Sequence, residues 1–179
     1  VVRMMEEGRR KMTSPQSAAA WTRASKGYRR LVVWQRAHEL VSSLFRLTND
    51  MRLAPWLQSQ IMRAAMSVPA NIVEGNARGS ARDYVRFLDI AFASLSELDY
   101  FLYFLHDNDL LDDTAYESLV PLIDEIGNKL IALMRSVGKA AKEGTWQRIG
   151  EGTAEYLALG DPDRHLPSSS FHLPGGEEG

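Results

Sequence analysis

The chain has 179 residues, no cysteine and a formal net charge of −2 at pH 7. This length suits one well-cored domain with flexible ends and is short for two ordinary domains. The lack of cysteine excludes disulfides and thiolate metal sites, and no apolar run reaches the roughly 18 residues that would span a bilayer. The amino-terminal segment is polar, without the apolar stretch of a signal peptide, so we expect a cytoplasmic protein with no membrane partner.

Basic side chains are concentrated at the amino-terminal end. Residues 1–28 contain six Lys or Arg against two Asp or Glu, a net charge of +4, whereas the chain as a whole is acidic. Gly8, Pro15 and a Ser/Ala-rich patch make this segment a poor candidate for a packed element. We interpret it as a flexible basic arm, or as sequence upstream of a true start at one of three nearby methionines, Met4, Met5 and Met12.

Helical periodicity begins at Leu31. Apolar residues then recur at steps of three and four and predict one buried face of a first helix: Val33, Ala37, Val41 and Leu44. We expect this helix to end near residues 49–52, where Asn and Asp lower the helix propensity. Trp34 lies beside the apolar face and is expected to pack against a neighbouring helix. Pro55 fits the first turn of a second helix, where its missing N–H costs no hydrogen bond.

The second helix carries an apolar face and a polar stripe at the same spacing. The polar stripe consists of Arg63, Ser67, Asn71, Glu74 and Arg78. Pro69 cannot donate a hydrogen bond to the carbonyl of Ala65, so we expect a kink there or, alternatively, a break. Gly75 and Gly79 are expected to loosen the chain, after which Ser80 and Asp83 form a capping box that begins a third helix.

The polar stripe has two interpretations. The first is a solvated helix face, in which the Glu74–Arg78 pair contributes about 0.3 kcal/mol. The second is a subunit interface or a binding surface. The spacing of these residues alone favours the solvated helix face. Under the second, the structural or interface residues are Arg63, Ser67, Pro69, Asn71, Glu74 and Gly75.

The third and fourth helices have the clearest periodicity. Leucines and other apolar residues from Tyr84 to Leu105 alternate at steps of four and three, as in a helical bundle. Four phenylalanines lie off this face, so the third helix is either central or buries a second face in an oligomer: Phe87, Phe92, Phe101 and Phe104. The fourth helix is expected to begin near Asp112–Thr114, with Thr114 and Glu117 as a candidate capping box, and to end at Gly138.

These elements predict an all-α fold in which four helices with short loops form an antiparallel up-down-up-down bundle. We assign residues 29–142 to the bundle and residues 143–179, which are rich in Gly, Pro and Ser, to a flexible carboxy-terminal tail.

The sequence offers no residues for a catalytic or metal site. His38 and His106 lack the Glu-x-x-His spacing of di-iron bundles, and no phosphate loop, dinucleotide motif or nucleophile motif is present. We therefore predict no enzyme activity, no catalytic residue, no metal and no cofactor.

The antiparallel topology would gather basic residues at one end of the bundle. We call this end the basic pole; it contains Arg29, Arg30, Arg36, Arg78, Arg82, Arg86, Arg135, Lys139 and Lys142, against four acidic residues, Glu39, Glu74, Asp83 and Glu143. The opposite end gathers Asp50, Asp107, Asp109, Asp112, Asp113 and Glu117, against two basic residues, Arg46 and Arg52. Either the basic pole contacts phosphate or an acidic partner, or charges at helix ends simply maintain solubility. The candidate contacts are Arg78, Arg82 and Arg86, with Arg29 and Arg30 beside them.

Several segments resemble a known family in the same order along the chain. They are Leu31–Ala37 (LVVWQRA), Gln60–Gly75 (QIMRAAMSVPANIVEG) followed by Arg78, Arg86–Ala91 (RFLDIA) and Ser94–Asp99 (SLSELD). They are similar to the four-helix bundle proteins encoded by intervening sequences of bacterial 23S ribosomal RNA genes, which are related to the accessory protein of diversity-generating retroelements. One departure is Met62, where the family usually has a second basic residue before Ala64.

The resemblance implies a non-enzymatic bundle that assembles as a ring-shaped homopentamer. In the retroelement relatives the ring binds a reverse transcriptase and nucleic acid. For the present chain the leading hypothesis is an oligomeric scaffold that contacts structured RNA or a reverse-transcriptase-like protein through the basic pole. The alternative is an oligomeric adaptor between proteins, with no nucleic-acid contact.

Overall fold

The computed structural model describes residues 27–147 and residue 149. A 3₁₀ turn, Gly27–Arg30, precedes four α-helices, and no strand occurs in this described part. The helices are α1 (Val32–Asp50), α2 (Pro55–Ala77), α3 (Ala81–Asp107) and α4 (Asp113–Lys142). The fold class predicted from the periodicity is confirmed. The larger parts of the basic arm assigned to 1–28 and of the tail assigned to 143–179 lie outside the described residues.

Each helix packs against its neighbours in the order α1, α2, α3, α4 and back to α1. Between α2 and α3, Arg63 meets Glu97, Ser67 meets Ser94 and Gly75 meets Tyr84. As the residue number increases along α2, the residue number of its contact on α3 decreases, so the two helices run in opposite directions. At the other end, His106 near the end of α3 contacts Asp113 at the start of α4. These contacts agree with the antiparallel arrangement expected from short loops.

A single apolar core runs through the bundle. Every helix contributes fully buried aliphatic residues, as the three-and-four spacing predicted, and the largest side chain in the core is Tyr84. The core extends past both ends of the assigned bundle. Tyr28 in the leading turn and Trp146 after α4 pack against it, and Ile149 is buried. The amide of Asn76 at the end of α2 also donates a hydrogen bond to the carbonyl of Ile149, at 3.5 Å.

The predicted helix starts are confirmed, but one predicted cap is wrong. Pro55 occupies the first turn of α2, and the Ser80 hydroxyl accepts a hydrogen bond from the Asp83 amide at 3.1 Å. At α4, however, the cap is Asp112, whose carboxylate accepts from the Ala115 amide at 2.8 Å. Thr114, the predicted cap, lies inside the helix, two residues after Asp112.

Two predicted interruptions differ from the structure, and an alternative at a third position is excluded. Helix α2 is continuous through Pro69, so the break is absent and the kink expected there stays a prediction. Gly75 does not loosen the chain; it lies buried inside α2. Helix α4 continues past Gly138 to Lys142, since the following alanines favour helix and Ala140 is buried. The glycine with a positive φ is Gly144, at +68°, two residues after the helix end.

Candidate nucleic-acid interface

The junction between α2 and α3 brings two of the predicted contact arginines together. Arg78 is the C-cap of α2, and its guanidinium lies 5.0 Å from the ring centre of Phe87. The guanidinium of Arg86 lies 5.9 Å from the same ring. Each cation is attracted to the aromatic face, which holds both side chains near one point. Phe87, expected only as extra apolar surface, is thus the anchor of this arginine pair.

The arginines at this junction differ in whether they pair with an acidic residue of the chain. Arg78 forms a salt bridge with Glu74, four residues earlier on the same helix. Within the described chain, Arg82 and Arg86 form no salt bridge, and both side chains are exposed. An exposed pair such as Glu74–Arg78 contributes little to stability, so Arg78 can exchange Glu74 for another anion. The junction therefore offers up to three positive charges to a ligand.

Arg29 and Arg30 are carried by the leading 3₁₀ turn. Both are exposed. The turn is fixed in three ways: the Gln35 side-chain amide donates to the Arg29 carbonyl at 2.9 Å, Arg29 lies 5.9 Å over the ring of Tyr28, and the turn packs against α1 and α2. The arginines are therefore held on a defined surface at the start of α1.

Other members of the basic pole are neutralised inside the chain. Arg36 donates to Glu39 at 2.8 Å and to Glu125 of α4 at 3.2 Å. The hydrogen bond to Glu39, with a smaller contribution from the charge of Glu125, raises the pKa of the Arg36 guanidinium. Lys139 approaches Glu143 at 3.9 Å. Arg36 consequently links α1 to α4, and is a weaker candidate for binding a ligand.

The polar stripe of α2 forms much of the contact with α3. Arg63 donates to Glu97 at 2.7 Å and to Gln60 at 2.9 Å. The Ser94 hydroxyl donates to the Ser67 hydroxyl at 2.8 Å. The Asn71 amide closes this group by donating to the Ser67 carbonyl at 2.7 Å and to its hydroxyl at 2.9 Å. The stripe therefore contains an interhelical hydrogen-bond network, in addition to exposed polar atoms.

Gly75 permits the closest approach of α2 and α3. A Cβ atom at this position would lie 2.7 Å from Cδ2 of Tyr84 and 2.8 Å from Cβ of Phe87. Contacts this short do not occur in folded proteins, so a side chain would push the helices apart. Because Phe87 anchors Arg78 and Arg86, Gly75 also sets the position of the arginine pair.

An aromatic row at the start of α1 was not foreseen. Trp34 stacks on His38 and meets the edge of Tyr28, and it also packs against the core. The signal was present in the sequence, since Trp34 and His38 are four residues apart and share a helix face.

The described residues contain neither a cluster that could hold a metal ion nor a membrane-spanning helix. No group of three or more His, Asp or Glu side chains there is arranged to hold a metal ion. None of the described helices is both long and apolar enough to cross a membrane.

Comparison with known proteins identifies the family. Residues 29–132 match the model of the 23S rRNA-intervening sequence protein family. A solved protein of unknown function from the S23 ribosomal protein family of Bacteroides thetaiotaomicron VPI-5482 is 27% identical, with a TM-score of 0.55 over 58% of the present chain and 99% of that protein. No curated protein matches the sequence. The chain therefore belongs to the 23S rRNA-intervening sequence protein family.

Proposed function

We propose that the protein is a non-catalytic, self-associating helical scaffold that binds structured RNA through its basic pole. The observation that carries the proposal is the convergence of Arg78 and Arg86 on Phe87, with the exposed Arg82 one turn before Arg86. Arginines held in fixed positions suit phosphate, because the guanidinium donates paired hydrogen bonds to phosphate oxygens.

The charge distribution supports an RNA ligand despite the acidic total. Arg82, Arg86, Arg29 and Arg30 form no salt bridge within the described chain. The acidic residues at the opposite end of α3 and the start of α4 would be repelled by RNA. Binding through one end would therefore be oriented, with the acidic end facing away from the RNA.

Self-association is proposed from the exposed apolar surface. Met66 of α2 is 57% exposed and Ile90 of α3 is 38% exposed, and the small residues Ala70 and Ala93 beside them are also exposed. Apolar surface of this kind is typical of interfaces between proteins. A ring of five copies, which the family resemblance implies, would cover this surface and present five basic poles together.

A filter-binding titration with a labelled stem-loop RNA tests the proposal. The wild-type protein is expected to bind, and the double variant Arg82→Ala/Arg86→Ala to bind about a hundredfold more weakly, since each of the two lost charge-assisted hydrogen bonds costs roughly 1.5 kcal/mol. Arg52→Ala is the matched control, because Arg52 is exposed at the other end of the bundle. Absence of RNA binding, or equal losses in the two proteins, would refute the assignment to the basic pole.

The second candidate is a protein adaptor without nucleic-acid contact. It is favoured by the exposed apolar residues away from the basic pole, such as Trp56 at 66% and Phe45 at 57% exposure. A single co-purifying protein whose recovery is unaffected by nuclease would support it. Loss of that protein after nuclease treatment would favour the RNA-binding proposal.

A further inference from the structure

A row of aromatic rings lies at the start of α1. The ring of Tyr28 meets Trp34 edge-on, with centroids 5.0 Å apart at 67°, and Trp34 stacks on His38 with centroids 5.2 Å apart at 7°. Tyr28 and Trp34 are partly buried against the core, whereas His38 is exposed. The Tyr28 end of the row is thus packed against the core, and the His38 end is accessible to a ligand.

The next position along this row is occupied by a small side chain. Residues four apart are neighbours on a helix surface, so the row Trp34–His38 leads to Ser42. The Ser42 hydroxyl donates to the carbonyl of His38 at 2.9 Å, which holds it against its own helix. The serine side chain is much smaller than a ring, so a ring introduced at this position would lie beside His38.

Positive charge lies next to the row. Arg29 and Arg30 belong to the same turn as Tyr28, and both are exposed. Glu39, which follows His38, is neutralised by Arg36 at 2.8 Å. The positive charge of Arg29 and Arg30 therefore favours the phosphates of a nucleic acid at this row.

We propose that the exposed face of His38 is a stacking platform for one unpaired nucleobase of RNA. This inference rests on the proposed RNA-binding function and specifies the part of the RNA that is recognised. Proteins bind splayed-out bases of loops and bulges by stacking them on aromatic side chains. Bases inside a duplex have both faces covered, so the platform selects a loop or bulge base, while Arg29 and Arg30 at the Tyr28 end of the row would contact phosphates of neighbouring nucleotides.

A stem-loop RNA carrying 2-aminopurine in its loop tests the platform. Stacking quenches 2-aminopurine fluorescence, so the wild-type protein is expected to quench the loop base, and not the same base placed in the stem. His38→Ala should abolish the quenching and weaken binding about fivefold, the lower range for loss of one base–aromatic stack. Ser42→Trp, which fills the position beside His38 with a protein ring, should act in the same direction.

His106→Ala is the matched control. His106 also stacks on an aromatic ring, Tyr116, with centroids 4.2 Å apart at 10°, but it is paired with Asp113 at the acidic end of the bundle. This variant should keep full quenching and affinity. If Arg82→Ala/Arg86→Ala weakens binding while His38→Ala and Ser42→Trp do not, the platform is refuted and the proposed function stands. If the wild-type protein binds no RNA, both are refuted.

Discussion

At the scale of single residues, two glycines of similar sequence context have opposite roles. A Cβ at Gly75 would meet Tyr84 at 2.7 Å and Phe87 at 2.8 Å, whereas a Cβ at Gly138 would meet nothing within 4 Å. The sequence shows only that both glycines lie in or near helices. The difference depends on how closely another helix approaches, which local periodicity does not encode.

Alanine substitutions separate these roles. Gly75→Ala should lower the free energy of unfolding by about 1–3 kcal/mol, because the added methyl group overpacks the contact between α2 and α3. Gly138→Ala should raise it by about 0.5–1 kcal/mol, because alanine favours the helix and has space. Urea denaturation measures both, and equal effects of the two substitutions would contradict the packing described here.

Tyr84 is a buried phenol whose hydroxyl lacks a hydrogen-bond partner within the described chain. Burying a hydroxyl without a partner is costly, so Tyr84→Phe should raise the free energy of unfolding at pH 7 by about 1 kcal/mol. Unfolding in urea measures the change. A loss of stability would show that the hydroxyl has a partner in the folded protein.

The same residue predicts a dependence on alkaline pH. Burial raises the pKa of the Tyr84 phenol above its ordinary value. Above about pH 10 the unfolded chain loses this proton while the folded chain keeps it, so the free energy of unfolding falls as pH rises. Tyr84→Phe removes this contribution, and its stability relative to the wild type should increase between pH 9 and 11. A constant difference over this range would be inconsistent with a buried phenol.

At the scale of elements, the helices were predictable and their ends only partly so. Apolar spacing predicted all four helices, because each buries one face in a shared core. The Ser80 cap was also predicted from its spacing to Asp83. The start of α4 was predicted within Asp112–Thr114, but its cap was placed two residues too late, since Asp112, Asp113 and Thr114 are all acceptable cap residues.

Substitutions at the start of α4 test which residue caps the helix. Asp112→Ala should lower the free energy of unfolding by about 1 kcal/mol, because the Ala115 amide loses its acceptor. Thr114→Ala should change it by less than about 0.5 kcal/mol, as expected for an exposed position without a cap. Thermal unfolding of both variants distinguishes the two candidate caps. A larger loss of stability for Thr114→Ala than for Asp112→Ala would support Thr114 as the cap, as the sequence predicted.

The candidate site was predictable at the level of charge but not of geometry. Helix order placed Arg78, Arg82 and Arg86 at one end, as the contacts between α2 and α3 require. The arrangement of Arg78 and Arg86 around Phe87 depends on side-chain directions, which the sequence does not give. Apolar spacing does not indicate the Trp34–His38 stack, because His38 is exposed. The polar stripe of α2 could not be assigned either, because its partners on α3 lie about 30 residues away in sequence.

At the scale of the whole molecule, the proposed assembly depends on the exposed apolar surface of α2 and α3. Met66→Glu or Ile90→Glu should reduce the mass of the native assembly, because burying an unpaired carboxylate in an interface is costly. Asn128→Glu, an exposed position on α4, is the control and should leave the mass unchanged. Native mass spectrometry gives the result directly; a monomeric wild-type protein would refute self-association.

The central claim is that fixed arginines at one end of the bundle bind RNA phosphates. The most direct test is the salt dependence of affinity for a stem-loop RNA, since each neutralised phosphate adds roughly one unit to the slope of log affinity against log salt. We predict a steep slope for the wild-type protein and a slope smaller by about two for Arg82→Ala/Arg86→Ala. A wild-type affinity that does not change with salt, or identical slopes for the two proteins, would contradict the claim.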